Sequence, residues 1–372
     1  MDDNHKYIPR PSTTKIETSD SSSLSKRNWI HLFISLLKFL LLPISVLYDL
    51  ITRIRNQFYD WQIFKTYQPP IFTINVGNLT VGGTGKTPHV EYLVKLLSSE
   101  YKIAILSRGY GRKTKGFILA NADSTAESIG DEPMQYFSKF GENVKIAVCE
   151  KRVDGAKKLL ELLPDLQVLI LDDAYQHRAI RPHFNVLLTD FGRLFYKDWI
   201  LPMGRLRESR AGASRADWVI VSKCPDDLDE KSKFEIEDKI KEYSQKSTSF
   251  SRIEYGQLTT YKSHRIVLNS PIIGLSGIAQ PKIFNDFLEK KYEVKFSKNF
   301  ADHHSFTRND IDEILKVNQK EIIVTTEKDF VKINRLLKDE EKSRFAYLPI
   351  EIDFWGEKSF DDIILRRINE SI

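Results

Sequence analysis

The sequence predicts an α/β fold with a parallel β-sheet flanked by helices, and three observations support this. Six short apolar runs rich in β-branched residues follow one another between residues 71 and 223, separated by segments of helical pattern. A glycine-rich loop joins the first run to a helix-forming segment, and a smaller set of strands and helices follows a charged stretch. Continuous apolar runs are typical of parallel strands covered on both faces.

Each apolar run predicts one strand. The first set is IFTINVGN, KIAILS, NVKIAV, QVLILDDA, FNVLLTD and DWVIVSK, with a helix from Thr87 to Leu97 after the first strand. The second set starts with RIVLNSPIIGLSGIA, YEVKFSKNF and EIIVTTEKDFVKI, and FAYLPIEIDF predicts one closing strand.

These patterns divide the chain into five parts. Residues 1–27 form a polar tail whose composition is typical of disorder, and residues 28–56 form a hydrophobic helix. A first α/β domain covers 57–225, a charged linker region covers 226–262, and a smaller C-terminal α/β domain covers 263–372.

Composition narrows the functional classes. The formal net charge of +5 is weak for a dedicated nucleic-acid binder, so we expect no nucleic-acid partner. It suits an anionic surface or a phosphorylated substrate. Cys149 and Cys224 are far apart, so neither a zinc pattern nor a disulfide framework is indicated, and we expect two small buried residues.

The hydrophobic helix carries one narrow polar stripe. Its polar residues recur at the spacing of one helix face; they are His31, Ser35, Lys38, Ser45, Asp49 and Thr52. Three interpretations are open: a helix in the plane of a membrane surface, a helix buried against its own domain, and a transmembrane span. The charge-free run is short for a span and contains Pro43, so the in-plane helix fits best, with its stripe toward headgroups or protein.

The stretch NVGNLTVGGTGKTPHVEYLVKLL contains most of a phosphate-binding loop (P-loop) and predicts a P-loop NTPase fold. The strict pattern G-x-x-x-x-G-K-[ST] has glycine where this chain has Thr80, but Gly77 and the Gly82-Gly83 pair are expected to rebuild the turn. Lys86 would reach the β and γ phosphates, and the Thr87 hydroxyl would bind Mg²⁺. The predicted nucleotide contacts are Gly82, Gly83, Thr84, Gly85, Lys86 and Thr87.

A second metal ligand is expected at the end of a neighbouring strand. The run VLILDD ends in Asp172 and Asp173, and carboxylates in that position hold Mg²⁺ in P-loop proteins, directly or through water. Which aspartate binds directly stays open. Asp131 also has two interpretations, because Ser128-x-x-Asp131 ahead of a helical segment resembles a helix cap.

Seven motifs appear in order along the chain. They are GNLTVGGTGKTP (77–88), SRGYGR (107–112), GDEP (130–133), LDDAYQHR (171–178), LPMGRLRE (201–208), DHHSF (302–306) and TEKDFVK (326–332). Together they resemble the tetraacyldisaccharide 4'-kinase family, the lipid A 4'-kinases, from about Leu41 to about Phe354. In that family the loop also lacks the first glycine, whereas Ser209 departs from it because many members have proline there.

The resemblance implies ATP-dependent phosphorylation of the 4'-hydroxyl of a tetraacylated glucosamine disaccharide 1-phosphate, with Mg²⁺. It also implies attachment to the cytoplasmic face of the bacterial inner membrane through the N-terminal helix. Asp131 matches the family's catalytic base, and His303 matches a histidine near that base. Gln176 is implied near the nucleotide or metal. The residues implied to face the acceptor are Arg108, Tyr110, Arg205, Arg207 and Glu208.

Two other functions remain open from the sequence. A P-loop GTPase or metal-insertion ATPase would need a guanine-reading N-K-x-D sequence, which the chain lacks, although Ser222-Lys223 ends a suitably placed strand. A non-catalytic nucleotide sensor at the membrane would bind ATP without transferring phosphate. The role of Thr326–Asp329, as nucleotide contact or helix cap, also stays open.

Overall fold

The computed structural model describes residues 21–262, 264–268, 270–278, 281–302, 304–317 and 320–371, with side chains described from Leu40 onward. Its helices are α1 (Ser21–Asp60), α2 (Lys86–Leu97), α3 (Ala126–Ile129), α4 (Asp131–Phe140), α5 (Arg152–Leu162), α6 (Glu230–Lys241), α7 (Pro281–Lys291), α8 (Arg308–Val317), α9 (Glu327–Ile333), α10 (Asp339–Lys342) and α11 (Ser359–Asn369). Its strands are β1 (Phe72–Asn78), β2 (Ile103–Ser107), β3 (Ile118–Leu119), β4 (Lys145–Val148), β5 (Val168–Asp172), β6 (Phe184–Asp190), β7 (Trp218–Ser222), β8 (Thr248–Phe250), β9 (Arg252–Tyr255), β10 (Thr259–Thr260), β11 (Ile272–Ser276), β12 (Val294–Asn299), β13 (Ile322–Thr326), β14 (Phe345–Leu348) and β15 (Ile350–Asp353).

Eight strands form the first sheet, in the order β3-β4-β2-β5-β1-β6-β7-β8. Neighbouring strands are parallel except for β3, which runs antiparallel to β4. All six strands predicted for the first set belong to this sheet, and β6 has the predicted bounds. The predicted α/β fold, with a mostly parallel sheet flanked by helices, is confirmed.

Alternate residues of β5 show why its sequence is apolar throughout. Val168 and Ile170 pack in the core that contains the apolar residues of α2, whereas Leu169 and Leu171 pack in the core that contains Ala156 of α5. Successive side chains of a strand point to opposite faces, so a strand with helices on both sides needs apolar residues at every position. We call this sheet and its helices the first unit.

The second unit is built around five strands in the order β10-β14-β13-β11-β12. Its three central strands are parallel to one another, and β10 is antiparallel at one edge. Apolar residues of α8 and α9 pack on one face of this sheet, and those of α7 pack on the other.

The division between the units differs from the predicted one. The stretch 226–262, predicted as a linker region, contains α6 and the strand β8, which pairs with β7 at the edge of the first sheet. It also contains β9 and β10. Only Ile236 and Ile240 of α6 are buried, so the helix carries a short apolar stripe and its sequence pattern is weak.

The last apolar run is two strands rather than the one predicted. Its first half, β14, joins the second sheet, whereas its second half, β15, pairs antiparallel with β9 in a separate two-stranded sheet. Pro349 separates the two halves and has no N–H group to continue a ladder. Beyond this point α11 packs against the core of the first unit, so the chain returns to the unit where it began.

The N-terminal helix α1 extends from Ser21 to Asp60, longer at both ends than the predicted 28–56, while residues 1–20 of the predicted tail lie outside the described residues. Within the described part of its polar stripe, Ser45 is 2% exposed and faces the protein, whereas the side chains of His31, Ser35 and Lys38 lie outside the described ones. Apolar side chains cover the outward face, and those more than 45% exposed are Leu40, Ile44, Val46, Leu47, Leu50, Ile51 and Ile54. In the part of the chain that is described, no helix is long and apolar enough to cross a membrane.

Candidate active site

The predicted phosphate loop joins β1 to α2 at the edge where the parallel strands end. Gly82 and Gly85 have φ angles of 108° and 80°, in the left-handed region that glycine adopts without a steric penalty. Gly85 precedes α2, so Lys86 and Thr87 begin the helix. The first N–H groups of a helix have no partner within it, and its N-terminus carries partial positive charge, so this end of α2 suits a phosphate.

Thr80 stands where the strict pattern has glycine, and its backbone is extended. It forms an antiparallel bridge with Leu206, and a β-branched residue suits that conformation. Gly77 does not rebuild the turn as predicted, because it lies inside β1. There a Cβ atom would come within 2.7 Å of the Cβ of Tyr175, so close packing requires this glycine.

Residues at the end of β7 hold the loop from one side. The Ser222 hydroxyl donates to the carbonyl of Thr84 at 2.9 Å, and the Lys223 ammonium group donates to the carbonyl of Gly83. The Thr84 hydroxyl accepts from the side chain of Asn78 at 2.7 Å. Thr84, predicted as a nucleotide contact, is buried and is thereby fixed within the loop.

His89 links the loop to Ser251, the residue that follows β8. Its Nδ1 lies 2.7 Å from the carbonyl oxygen of Gly85, and its Nε2 lies 3.0 Å from the Ser251 hydroxyl. Burial lowers the pKa of His89 to about 4, so the ring is neutral near pH 7. Since a carbonyl oxygen only accepts, Nδ1 carries the proton and Nε2 accepts from Ser251.

Lys86 and Asp173 meet directly beside the loop. The Lys86 ammonium group is 3.8 Å from a carboxylate oxygen of Asp173, and one guanidinium nitrogen of Arg207 lies 3.0 Å from both oxygens of that carboxylate. Burial alone would raise the pKa of Asp173, but the charges of Lys86 and Arg207 outweigh it and hold that pKa below its ordinary value. Asp173 has a φ of 51°, which turns the chain sharply at the end of β5.

Asp172 differs from its neighbour. It is 1% exposed, and neither carboxylate oxygen has a hydrogen-bond partner within the described residues. Burial, with the negative charges of Glu132 and Asp173, raises its pKa to about 7, against the attraction of Lys86 and Arg152. A buried carboxylate with two free oxygens fits a divalent cation, which would supply the missing contacts. No group of three potential metal-binding side chains occurs among the described residues, so phosphate oxygens or water would complete the ligand set.

Arg152 belongs to this site, although no sequence motif identifies it. It is the first residue of α5, is 2% exposed, and donates to the carbonyls of Cys149 at 2.7 Å and Asp172 at 3.2 Å. Burial lowers its pKa to about 10, so it stays charged. The one indication of its role in the sequence is its position just after β4, at the same edge of the sheet as the P-loop.

Asp131 begins α4 and faces the second unit. The Lys332 ammonium group of α9 lies 3.0 Å from its carboxylate. Ser128 does not form a cap with Asp131, because it forms a reciprocal capping box with Thr125 at the start of α3. The helix-cap pattern seen in the sequence therefore belongs to the preceding helix, and the Asp131 carboxylate is directed to an ion pair between the two units.

The structure describes only the second of the two adjacent histidines. His303, predicted beside the base, lies outside the described residues. His304 stacks on Phe300 with ring centroids 4.4 Å apart, and its Nε2 lies 3.2 Å from Asp310, which agrees with a structural role.

The residues implied to face the acceptor divide into two groups. Arg108, Tyr110 and Arg205 are exposed, and Tyr110 is 81% exposed. Arg207 pairs with Asp173, as described above. Glu208 is buried and accepts hydrogen bonds from three side chains, including that of Gln176 at 3.0 Å.

The motif at Thr326–Asp329 caps a helix. The Thr326 hydroxyl accepts from the N–H of Asp329 at 3.2 Å, and the buried Asp329 carboxylate accepts from the N–H of Gly277 at 2.7 Å. Glu327 pairs at 2.8 Å with Lys139, which also pairs with Glu91 of the first unit at 2.6 Å. This part of the motif therefore joins the two units.

A family model described as tetraacyldisaccharide-1-P 4'-kinase matches residues 37–369 of the chain. The chain belongs to this family.

Relatives of this kinase family cover almost the whole chain. The tetraacyldisaccharide 4'-kinase of Flavobacterium psychrophilum is 42% identical over 338 residues, which is 89% of this chain and 97% of the relative. That of Flavobacterium johnsoniae is 42% identical over 344 residues, 91% of this chain and 99% of the relative. A crystal structure of LpxK from Aquifex aeolicus in complex with ATP superimposes with a TM-score of 0.73 at 30% identity, covering 89% of this chain and 99% of that one. The predicted family and the predicted kinase class are confirmed.

Proposed function

We propose that the chain transfers the γ-phosphate of ATP to the 4'-hydroxyl of tetraacyldisaccharide 1-phosphate and so forms the bis-phosphorylated lipid A precursor. One observation carries the residue roles: the end of the glycine loop brings Lys86 beside the paired aspartates Asp172 and Asp173, at the start of α2. Phosphoryl transfer is mainly positioning and neutralisation of charge, and this arrangement supplies both.

The loop from Gly82 to Thr87 is proposed to hold the phosphates of ATP. Lys86 lies at the helix start where it would neutralise the β and γ phosphates. Thr87 and Asp172 would hold Mg²⁺, which neutralises developing charge on the phosphate oxygens when bound. Asp172 is assigned the direct ligand role because its oxygens are free, whereas Asp173 is engaged by Lys86 and Arg207. Gln176 holds Arg207 and the loop in place.

Asp131 is proposed as the general base that accepts the proton of the 4'-hydroxyl. The Lys332 ammonium group lies 3.0 Å from this carboxylate and would fix its position. His303 is proposed near this pair on the strength of the DHHSF motif alone.

The acceptor is proposed to reach the site from the side of the exposed arginines. Arg108 and Arg205 are exposed, and a planar guanidinium binds phosphate through two hydrogen bonds. Burial, together with cations that include Arg152 and Arg108, lowers the pKa of the half-buried His177 to about 4. A 1-phosphate would be attracted by the arginines.

The outward face of α1 is proposed to lie in the cytoplasmic surface of the inner membrane. A soluble helix normally turns its polar face outward, but from Leu40 onward α1 buries Ser45 against the protein and exposes its apolar side chains. An apolar helix face of this kind binds at the boundary between headgroups and acyl chains. This would place the site at the level where a lipid headgroup is available.

The test is transfer of labelled γ-phosphate from ATP to tetraacyldisaccharide 1-phosphate in mixed micelles, with wild type and Lys86→Ala. We expect labelled lipid from the wild type and severe loss in the variant. A folded, ATP-binding wild type that labels no lipid would contradict the proposal and favour a nucleotide sensor. A preference for GTP over ATP would favour a GTPase.

A further inference from the structure

Glu208 is the buried centre of a hydrogen-bonded cluster. It is 3% exposed, and its carboxylate accepts from the Asn56 amide at 2.8 Å, the Gln176 amide at 3.0 Å and the Arg215 guanidinium at 2.8 Å. Buried carboxylates are costly unless they are paired and fully hydrogen-bonded, and these donors satisfy Glu208. Its donors come from three separate segments of the chain.

The Gln176 contact and the neighbouring residue Arg207 connect Glu208 to the phosphate-transfer site. The Gln176 amide also donates at 2.9 Å to the carbonyl of Asn78, the last residue before the P-loop. Arg207, next to Glu208 in sequence, holds both oxygens of Asp173, which in turn lies 3.8 Å from Lys86. A shift of the Glu208 backbone would therefore move the partner of the phosphate-binding lysine.

The Asn56 contact leads to the N-terminal helix. Asn56 belongs to α1, and the same helix face sends the Tyr48 hydroxyl to the carbonyl of Arg207 at 2.9 Å. Ser45, one helical turn earlier, accepts from the N–H of Met203 at 3.0 Å. The inward face of α1 is thus bonded to the segment that carries Arg207 and Glu208.

The cluster argues against a contact between Glu208 and the acceptor. A carboxylate would repel a phosphorylated substrate, whereas the neighbouring arginines would attract it. The hydrogen bonds of Glu208 are already formed with protein groups in the absence of any substrate. Its negative charge is balanced by Arg215, which is itself largely buried.

We propose that Glu208 is a positioning residue that links α1 to the P-loop, so that the position of α1 determines the positions of Arg207, Asp173 and Lys86. The helix is then a structural part of the active site as well as a membrane contact. This inference rests on the proposed phosphoryl transfer at the same site.

The test uses Asn56→Ala, Glu208→Gln and the double variant. Glu208→Ala is avoided because it would leave the buried Arg215 guanidinium without any hydrogen-bond acceptor at this position, whereas the amide oxygen of glutamine can still accept. Asn369→Ala is the matched control: Asn369 ties another helix, α11, to the first unit through one side-chain hydrogen bond from Tyr101. Each protein is measured for kcat, for KM of the lipid, for affinity toward a non-hydrolysable ATP analogue, and for binding to anionic phospholipid vesicles.

We expect each single variant to lower kcat by about 10–100-fold, the usual effect of losing a residue that orients a catalytic group. ATP-analogue affinity should fall as well, while lipid KM, vesicle binding and the control stay at wild-type levels. The double variant should lose less than the product of the single effects, because both changes break the same link.

Wild-type kcat and analogue affinity in Asn56→Ala, or a loss of vesicle binding alone, would overturn the inference and leave α1 as an anchor only. If the wild type transferred no phosphate, the proposed function would fail. Analogue affinity would still decide the role of Glu208, because that affinity does not depend on the acceptor.

Discussion

The carboxylate of Asp131 lies 3.0 Å from the ammonium group of Lys332, so the proposed base of the first unit is held by a cation of the second. A second ion pair joins the same two helices, because the Lys139 ammonium group of α4 lies 2.8 Å from the Glu327 carboxylate of α9. Two ion pairs therefore join α4 to α9. The second unit contributes directly to the proposed catalytic group.

Replacing Lys332 with methionine should lower kcat without preventing ATP binding. A hydrogen bond to a charged group contributes about 1.5–3 kcal/mol, which corresponds to about 10–100-fold in rate if it is needed in the transition state. Lys332→Arg should restore part of the rate because it keeps the charge. Steady-state kinetics would measure both, with Lys316→Met, an exposed lysine of α8, as the control. Wild-type kcat in Lys332→Met would show that the pair has no part in transfer.

The two aspartates at the end of β5 should respond differently to Mg²⁺. Asp172→Asn should raise the Mg²⁺ concentration needed for half-maximal activity, because it removes the carboxylate with unpaired oxygens. Asp173→Asn should mainly weaken the hold on Lys86 and Arg207 and so reduce kcat at saturating Mg²⁺. Activity titrated with Mg²⁺ at fixed ATP distinguishes the two. A larger change of Mg²⁺ requirement in Asp173→Asn would reverse the assignment.

Stability should depend on pH through Glu91. Burial, only partly offset by Lys139, raises the pKa of this 3%-exposed glutamate from 4.5 to about 7. The folded state then binds more protons than the unfolded state between these values, so this group's stabilising contribution is full below about pH 4.5 and is lost as the pH rises through 7.

Glu91→Gln should remove the loss of stability that Glu91 causes as the pH rises. The free energy of unfolding of the wild type, relative to the variant, should fall by at most about 1.4 kcal/mol per pH unit across this window. Urea unfolding at pH 5 and pH 8 measures it. A wild type that gained stability over the variant from pH 5 to pH 8 would contradict the predicted sign.

The exposed face of α1 should govern vesicle binding. Leu47→Glu and Ile51→Glu place charges on side chains that are 58% and 56% exposed and lie one turn apart. Each charge would have to enter the acyl boundary, so sedimentation with vesicles should decrease while ATP-analogue affinity stays unchanged. Leu162→Glu, on an exposed apolar residue of α5, is the matched control. Equal sedimentation of all three variants and the wild type would contradict the assigned membrane face.

Burial on both faces made the first sheet predictable. FNVLLTD and VLILD are continuous apolar runs because both faces of the sheet are covered, and such runs identify strands without other information. The closing run FAYLPIEIDF predicts one strand because it is mostly apolar. The sequence does not show that its two halves belong to different sheets. Which unit α11 joins depends on long-range packing and has no local signal.

The residues of the site also differ in how far the sequence identifies them. Lys86 and the paired aspartates have a motif, because a glycine loop after a strand constrains the local sequence. Arg152 is a single arginine at a helix start, and only the fold brings it to Asp172. The family resemblance of its motif implies that Glu208 faces the acceptor, whereas its burial among Asn56, Gln176 and Arg215 appears only in three dimensions.

The most direct measurement is single-turnover phosphate transfer to tetraacyldisaccharide 1-phosphate by wild type and Asp131→Asn, with ATP affinity measured on the same samples. Loss of a general base lowers the rate by about 10²–10⁴-fold. We predict a loss of that size in Asp131→Asn, with ATP affinity near that of the wild type. Transfer at the wild-type rate by Asp131→Asn would contradict the assignment of the base and, with it, the proposed mechanism.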